Sequence, residues 1–275
     1  MFEKSKSMKF PYHLLLTSVF LFIYTHNVTA ETEEGEGRGS VTHGNISGQG
    51  PTGMFQNPTA RMLDDKELIL QYCVFITESN NNENLLTHKA IASYGVTEWL
   101  ELGLRGQVVD QDRAAVGDRT LTSAGGFFRL RAIEEEGFIP VISIGGVTAD
   151  GGIGGNEKEL TKHNLFAAAS KGLGLKERGC PIDMTFHIGY RNQWDNGGAE
   201  EATAYLGGEI ELPNHIYFVS EVSTKRDPAR AQHHTPYSLG IQVRHPDGVS
   251  LTLAAAQNGR QNELGWFVGV GINFD

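Results

Sequence analysis

The chain has 275 residues, a formal net charge of −10, 34 glycines and two cysteines. The acidic balance argues against a nucleic-acid partner, which selects basic surfaces. Two cysteines are too few for a disulfide framework, although an exported chain can pair Cys73 with Cys180.

Residues 1–30 have the layout of a secretory signal peptide. Lys4, Lys6 and Lys9 precede the short apolar run "YHLLLTSVFLFIYT", and "VTA" ends at a small-residue cleavage site, Ala30. Cleavage there removes three lysines and one glutamate, which takes the formal charge from −10 to −12. The alternative, a retained anchor, has to carry His13 and two threonines in a run shorter than the ~20 apolar residues of a spanning helix. Residues 31–50 are polar and aperiodic and read as a disordered periplasmic lead-in. Residues 51–275 read as one folded domain.

From residue 66 onward apolar side chains recur at every second position. Strands are expected at 66–76, 88–95, 99–108, 121–133, 138–147, 163–172, 182–191, 202–211, 216–224, 237–245, 249–256 and 264–274. The connections alternate between long polar segments and tight ones such as "VTE", "EEEG", "LPNH" and "PDG", with a partial exception at 173–181. An even-numbered meander whose long connections all fall on one side is the plan of an outer-membrane barrel. The fold expected is therefore all-β, an antiparallel up-and-down transmembrane β-barrel of twelve strands.

The two faces of the strands agree with that plan. Leu100, Leu102 and Leu104 alternate with Glu101, Gly103 and Arg105, and Met184, Phe186, Ile188 and Tyr190 alternate with Thr185, His187, Gly189 and Arg191. One face suits hydrocarbon and the other is polar. A secreted soluble β-sandwich that binds glycan also alternates and is the structural rival. It does not require strands near ten residues, connections sorted by length, or aromatics such as Trp99, Tyr94, Tyr190, Tyr237 and Trp266 at strand ends. The last strand, "GWFVGVGINFD", puts Trp266, Val268, Val270, Ile272 and Phe274 on one face and glycine on most of the other. It is expected to close against the first strand, because an open edge in lipid leaves backbone groups unbonded. Gly269, Ile272 and Phe274 resemble the C-terminal assembly signal of outer-membrane proteins, except that Asp275 follows the aromatic residue.

Strand parity sends Glu67, Glu101, Glu209, Glu211 and Glu221 to the inner face with Arg105, Arg129, Arg131, Arg191, Arg244 and His187. Five acids meet five arginines, so the charges either pair and fill the lumen or line a passage without strong ion selectivity. Motifs of chemistry are scarce. There is no G-x-S-x-G, H-E-x-x-H or C-x-x-C, and no His is followed by Ser at the spacing of the barrel phospholipases. The run starting at Asp150 (Asp150-Gly-Gly-Ile-Gly-Gly) and the pair His233-His234 read as outer-loop residues. No catalytic, cofactor-binding or metal site and no cofactor is expected, and a barrel enzyme is the lesser alternative.

"GPTGMFQNPTARMLDDKELILQY", residues 50–72, resembles the N-terminal barrel entry of the YjbH-type outer-membrane family, with further likeness at "YGVTEWLELG", residues 94–103. The resemblance implies an envelope barrel associated with exopolysaccharide. The function expected is non-enzymatic: a narrow porin-like passage for polar solutes, or a scaffold in exopolysaccharide export. The place is the outer membrane of a diderm bacterium, and the partners are outer-membrane lipid, the barrel-assembly machinery, and polysaccharide or a small polar solute.

Overall fold

The computed structural model describes residues 47, 51, 53–79, 83–112, 119–153, 160–196, 200–224, 234–257 and 264–274, all within the unit Val41–Asp275. The expected signal peptide, most of the lead-in, the glycine pair 154–155, His233 and Asp275 lie outside the described residues.

Twelve strands follow one another: β1 (Leu68–Ser79), β2 (Glu83–Thr97), β3 (Leu100–Asp112), β4 (Arg119–Ile133), β5 (Val141–Ile153), β6 (Leu160–Gly172), β7 (Asp183–Asp195), β8 (Glu200–Leu212), β9 (Ile216–Ser223), β10 (Tyr237–Arg244), β11 (Val249–Gln257) and β12 (Gly265–Phe274). Each pairs antiparallel with its neighbours in sequence, and β12 returns to β1, closing the barrel. Closure runs in register from Leu68↔Phe274 to Thr77↔Gly265, which puts Leu68, Leu70, Tyr72, Val74 and Ile76 beside the apolar residues of β12 on the outer face. Every ladder is thereby satisfied within the wall, the condition for crossing hydrocarbon with strands. No helix among the described residues is long and apolar enough to cross a membrane.

The exterior carries the large apolar side chains. Leu104, Ile188, Leu165, Leu206 and Trp266 are all more than half exposed. Tyr94, Trp99 and Phe274 lie at the end of the short turns, and Trp194, Tyr237 and Trp266 at the other, an aromatic girdle at each interface. At that second end the outward positions turn polar. Thr120 donates to Asp110 at 2.9 Å, and the Thr148 hydroxyl and His163 Nδ1 are 3.1 Å apart. This polar collar explains why β1 to β8 run several residues past their expected ends. Apolar alternation stops where hydrocarbon stops, while the ladder continues into the headgroup layer.

Glycines inside the strands have a repeated use. Phe127, Phe166 and Tyr205 point inward directly opposite Gly103, Gly145 and Gly189 on the next strand. A Cβ at these glycines would come within 2.0, 2.4 and 2.2 Å of the ring. Each lumenal ring thus lies flat over the space its cross-strand partner leaves, the pairing known as aromatic rescue of a strand glycine.

Candidate functional site: a lumen filled by the chain's own segment

Residues 53–66 precede the first wall strand; 53–63 lie inside the barrel and the exposed 64–66 turn into the wall. The segment "GMFQNPTARMLDDK" carries Met54, Phe55, Met62 and Leu63 without period two, so it has apolar residues to bury and no strand pattern to bury them by. Proline at 58 also opposes a ladder position. It buries them against the wall from within. Met54, Phe55, Asn57, Thr59, Ala60, Met62 and Leu63 are at most 2% exposed. Met54 and Phe55 pack with Cys73, Tyr205, Tyr217, Val219, Ala254 and Phe267; Leu63 packs with Ile69, Ile91, Phe127, Val147 and Phe166; and Ala60 packs with Val141 and Ala168. Met54 sits where Gly207 has no side chain: a Cβ there would be 2.1 Å from its sulfur. The inner face is therefore a mixture of apolar patches and charges, where sequence parity alone suggested a polar one.

The wall's polar side chains converge on the segment's main chain. Glu221 Oε1 accepts from the Gln56 amide at 2.6 Å and the Ser238 hydroxyl at 2.5 Å. Its Oε2 accepts from the Asn57 amide at 3.2 Å and Asn57 Nδ2 at 2.9 Å. Arg129 Nη1 donates to the carbonyls of Thr59 and Arg61, each at 2.5 Å, while its Nη2 holds Glu101 at 2.7 Å. The Tyr205 hydroxyl donates to the Pro58 carbonyl at 2.9 Å, and the Ala60 amide donates to Ser170 Oγ at 2.9 Å. Gln56 Nε2 reaches the carbonyls of Tyr237 and Gln257 at 3.4 and 3.3 Å.

The segment joins β1 through a tight turn. The Glu67 amide donates to the Asp64 carbonyl, the Asp64 amide donates to Glu67 Oε2 at 2.7 Å, and Lys66 has φ +67°. The Lys66 amide also donates to the Gly95 carbonyl at 2.7 Å, which fixes the turn at the barrel end that carries the β2–β3 turn.

The inner-face candidates divide by what they touch. Glu101, Arg129, His187, Arg191, Glu209, Glu221, Arg244 and Glu67 are buried. Arg129 with Glu101 and Arg244 with Glu209 form ion pairs, the second through two bonds of 3.1 and 3.0 Å, with the Arg244 guanidinium 4.1 Å from the Tyr217 ring centre. Glu67 accepts from Asn273 Nδ2 at 2.5 Å. Three candidates are half-buried: Glu211 pairs with Lys176 of the β6–β7 turn at 2.5 Å, Arg131 pairs with Glu134 at 3.7 Å, and Arg105 faces inward on β3. Glu67 and Glu221 thus both take N–H donors from the entry segment. Of the assembly-signal candidates, Gly269 faces inward, while Ile272 and Phe274 face out. Cys73 is buried inside and Cys180 is exposed in the β6–β7 turn, and neither is in a disulfide.

Sequence reasoning gave Ser170, Tyr205 and Asn57 no role. All three become visible only when a second stretch of backbone is known to lie against the wall. Ser170 Oγ is 2.8 Å from His187 Nδ1, and His187 Nε2 is 3.8 Å from Glu209. The order serine, histidine, carboxylate is that of a nucleophilic relay. It has no room for a substrate, since Ser170 and His187 are each 1% exposed and the serine oxygen already accepts the Ala60 amide. The cluster reads as a buried polar support for residue 60. No group of three His, Cys, Asp or Glu among the described residues could hold a metal ion.

No family model matches the chain, and no curated protein matches it. Solved structures do. The COG4313 outer-membrane channel from Pseudomonas putida F1 is similar with a TM-score of 0.50 and 13% identity, over 78% of this chain and 97% of that one. The KdgM porin gives 0.49 and 10% over 75% and 99%. The translocator domain of the autotransporter NalP from Neisseria meningitidis gives 0.49 and 14% over 81% and 91%. At such identities the likeness is one of fold: this chain is a closed twelve-stranded antiparallel barrel of the outer-membrane type.

Proposed function

We propose that the protein is a gated, porin-like passage in the outer membrane of a diderm bacterium, closed by its own residues 53–63. The observation that carries this reading is that, among the described residues, the segment makes no main-chain to main-chain hydrogen bond to any wall strand; every bond between them uses a side chain. The twelve-strand ladder is complete without it, so the segment can leave while the barrel stays closed on itself. Its departure uncovers Arg129, Glu221, Tyr205 and Ser170, a polar track fit for a small hydrophilic solute such as an oligosaccharide. Outer-membrane lipid against the apolar belt and the barrel-assembly machinery acting on β12 are the partners of this reading, and no catalytic step is part of it.

Liposome swelling in an oligosaccharide solution tests it. Wild type should swell vesicles slowly. Ala60→Arg, which forces a long charged side chain into the space bounded by Val141 and Ala168, should expel the segment and speed swelling. Equal rates for the two, with heat-modifiable gel migration retained by both, would refute the gate. The filled lumen favours one second reading, a non-conducting scaffold in exopolysaccharide export, for which both proteins stay silent to every solute.

A further inference from the structure

The contacts between wall and segment follow a rule that goes past simple filling. Across six consecutive residues, each has a main-chain group met by a wall side chain: the amides of Gln56 and Asn57 by Glu221, the carbonyl of Pro58 by Tyr205, the carbonyl of Thr59 by Arg129, the amide of Ala60 by Ser170, and the carbonyl of Arg61 by Arg129. These side chains come from β4, β6, β8 and β9, so the reading surface is spread round the barrel. Proline falls at one of the three positions where the wall uses only a carbonyl.

Main-chain groups are common to all polypeptides. A wall that reads them recognises a backbone path, here a turn closed by the Gly53–Pro58 bridge and by the Met54 amide on the Asn57 carbonyl and then a run from Pro58 to Leu63, and adds selectivity through a few pockets for side chains. Three such pockets are present: the space over Gly207 that takes Met54, the narrow site of Val141 and Ala168 that admits only a small residue, and the Phe127–Phe166 cluster that takes Leu63. The anchors fall at residues 54, 60 and 63.

We propose that the lumen is a binding site for a polypeptide segment, that residues 53–63 are its resident intramolecular ligand, and that a segment of a second polypeptide with a large apolar residue at the start of a tight turn, then a small one six positions on and an apolar one three further, takes its place. The partner enters from the end where the Asp64–Lys66 turn lies. This inference rests on the gate reading, because it names what holds the gate shut and what replaces it. While the segment is tethered it competes at high effective concentration. Cutting the tether turns the exchange into an ordinary bimolecular equilibrium.

The experiment inserts a site-specific protease sequence between Asp65 and Lys66, both of which have exposed side chains. The full chain is folded into detergent micelles and then cut. A fluorescent synthetic peptide of residues 51–64 is added and its anisotropy followed. The expected result is saturable uptake of one peptide per barrel, competed by unlabelled peptide, with affinity at least tenfold lower for a scrambled sequence and for a peptide carrying Ala60→Trp. Failure of the peptide to enter, or equal uptake of the scrambled sequence, overturns the proposal. If cutting abolishes heat-modifiable migration, the uncut Ala60→Arg chain, whose wall side chains are unaltered, decides. A peptide with a benzoylphenylalanine in place of Phe55 should photo-cross-link to the strands bearing Cys73 or Phe267, and no cross-link overturns the proposal. Conductance of the emptied barrel is scored separately. A barrel that takes up peptide and never conducts removes the gate reading and leaves the peptide site standing; one that conducts and refuses peptide does the reverse.

Discussion

Glu221→Gln isolates the hold of the wall on the entry segment. The carboxylate accepts four bonds from uncharged donors, three of them from Gln56 and Asn57. An amide keeps one acceptor oxygen and replaces the other by an NH2 group, so the segment loses either both Asn57 bonds or the Gln56 bond alone, the Ser238 hydroxyl of the wall being able to turn and accept. Hydrogen bonds to a charged acceptor contribute about 1.5–3 kcal/mol each. Taking the lower value for one or two bonds gives a loss of about 1.5–3 kcal/mol, roughly a ten- to hundredfold rise in the population with the segment out. Cys73 is a native reporter, since it is 1% exposed and packs beside Met54 and Phe55. With Cys180→Ser removing the exposed thiol, the rate of Cys73 alkylation should track the open population and rise by about one to two orders of magnitude in Glu221→Gln. Alkylation within about twofold of the parent rate, in a chain that still migrates as a folded barrel, would show that the segment is not what covers this face.

Three further outcomes are expected. Arg129→Met should destabilise the barrel by about 3–5 kcal/mol in denaturant titration, because it removes both the ion pair of the buried Glu101 carboxylate and the donor to the Thr59 and Arg61 carbonyls, and adding Glu101→Leu should recover only the part that belongs to the ion pair. Leu104→Arg, at an outward position 69% exposed within the apolar belt, should cost about 2–4 kcal/mol in folding into lipid vesicles and little in detergent folding yield. Phe274→Ala should lower outer-membrane levels more than removal of Asp275 does, because Phe274 faces outward at the last rung of the β1–β12 seam; equal levels for Phe274→Ala and wild type would contradict its role in assembly.

The wall was legible in sequence because its physics is local. Period-two alternation from residue 66, and the aromatic-glycine ending, place all twelve strands and the β1–β12 seam. Strand ends were less legible. Asp110, Thr120 and Asp150 continue the ladder with polar residues outward, and polarity in sequence reads as a loop. Parity places Glu101, Arg129, Glu209 and Arg244 on the inner face, but says nothing of their partners, which sit on strands far apart in sequence. The least legible element is residues 53–66. Its sequence shows only apolar residues out of strand period beside a proline. That it turns back at Lys66 and threads the lumen depends on side chains from four strands that meet only once the barrel has closed. Ser170 and Tyr205 carry no motif and take their roles entirely from that placement.

A planar-bilayer recording of single inserted barrels tests most directly whether the chain's own segment closes a passage. Wild type should be silent or open rarely, and Ala60→Arg should show discrete, long-lived openings that addition of the 51–64 peptide blocks from the side of the short turns. Steady conductance in wild type at the level of the variant, or silence in both while each migrates as a folded barrel, would contradict the account.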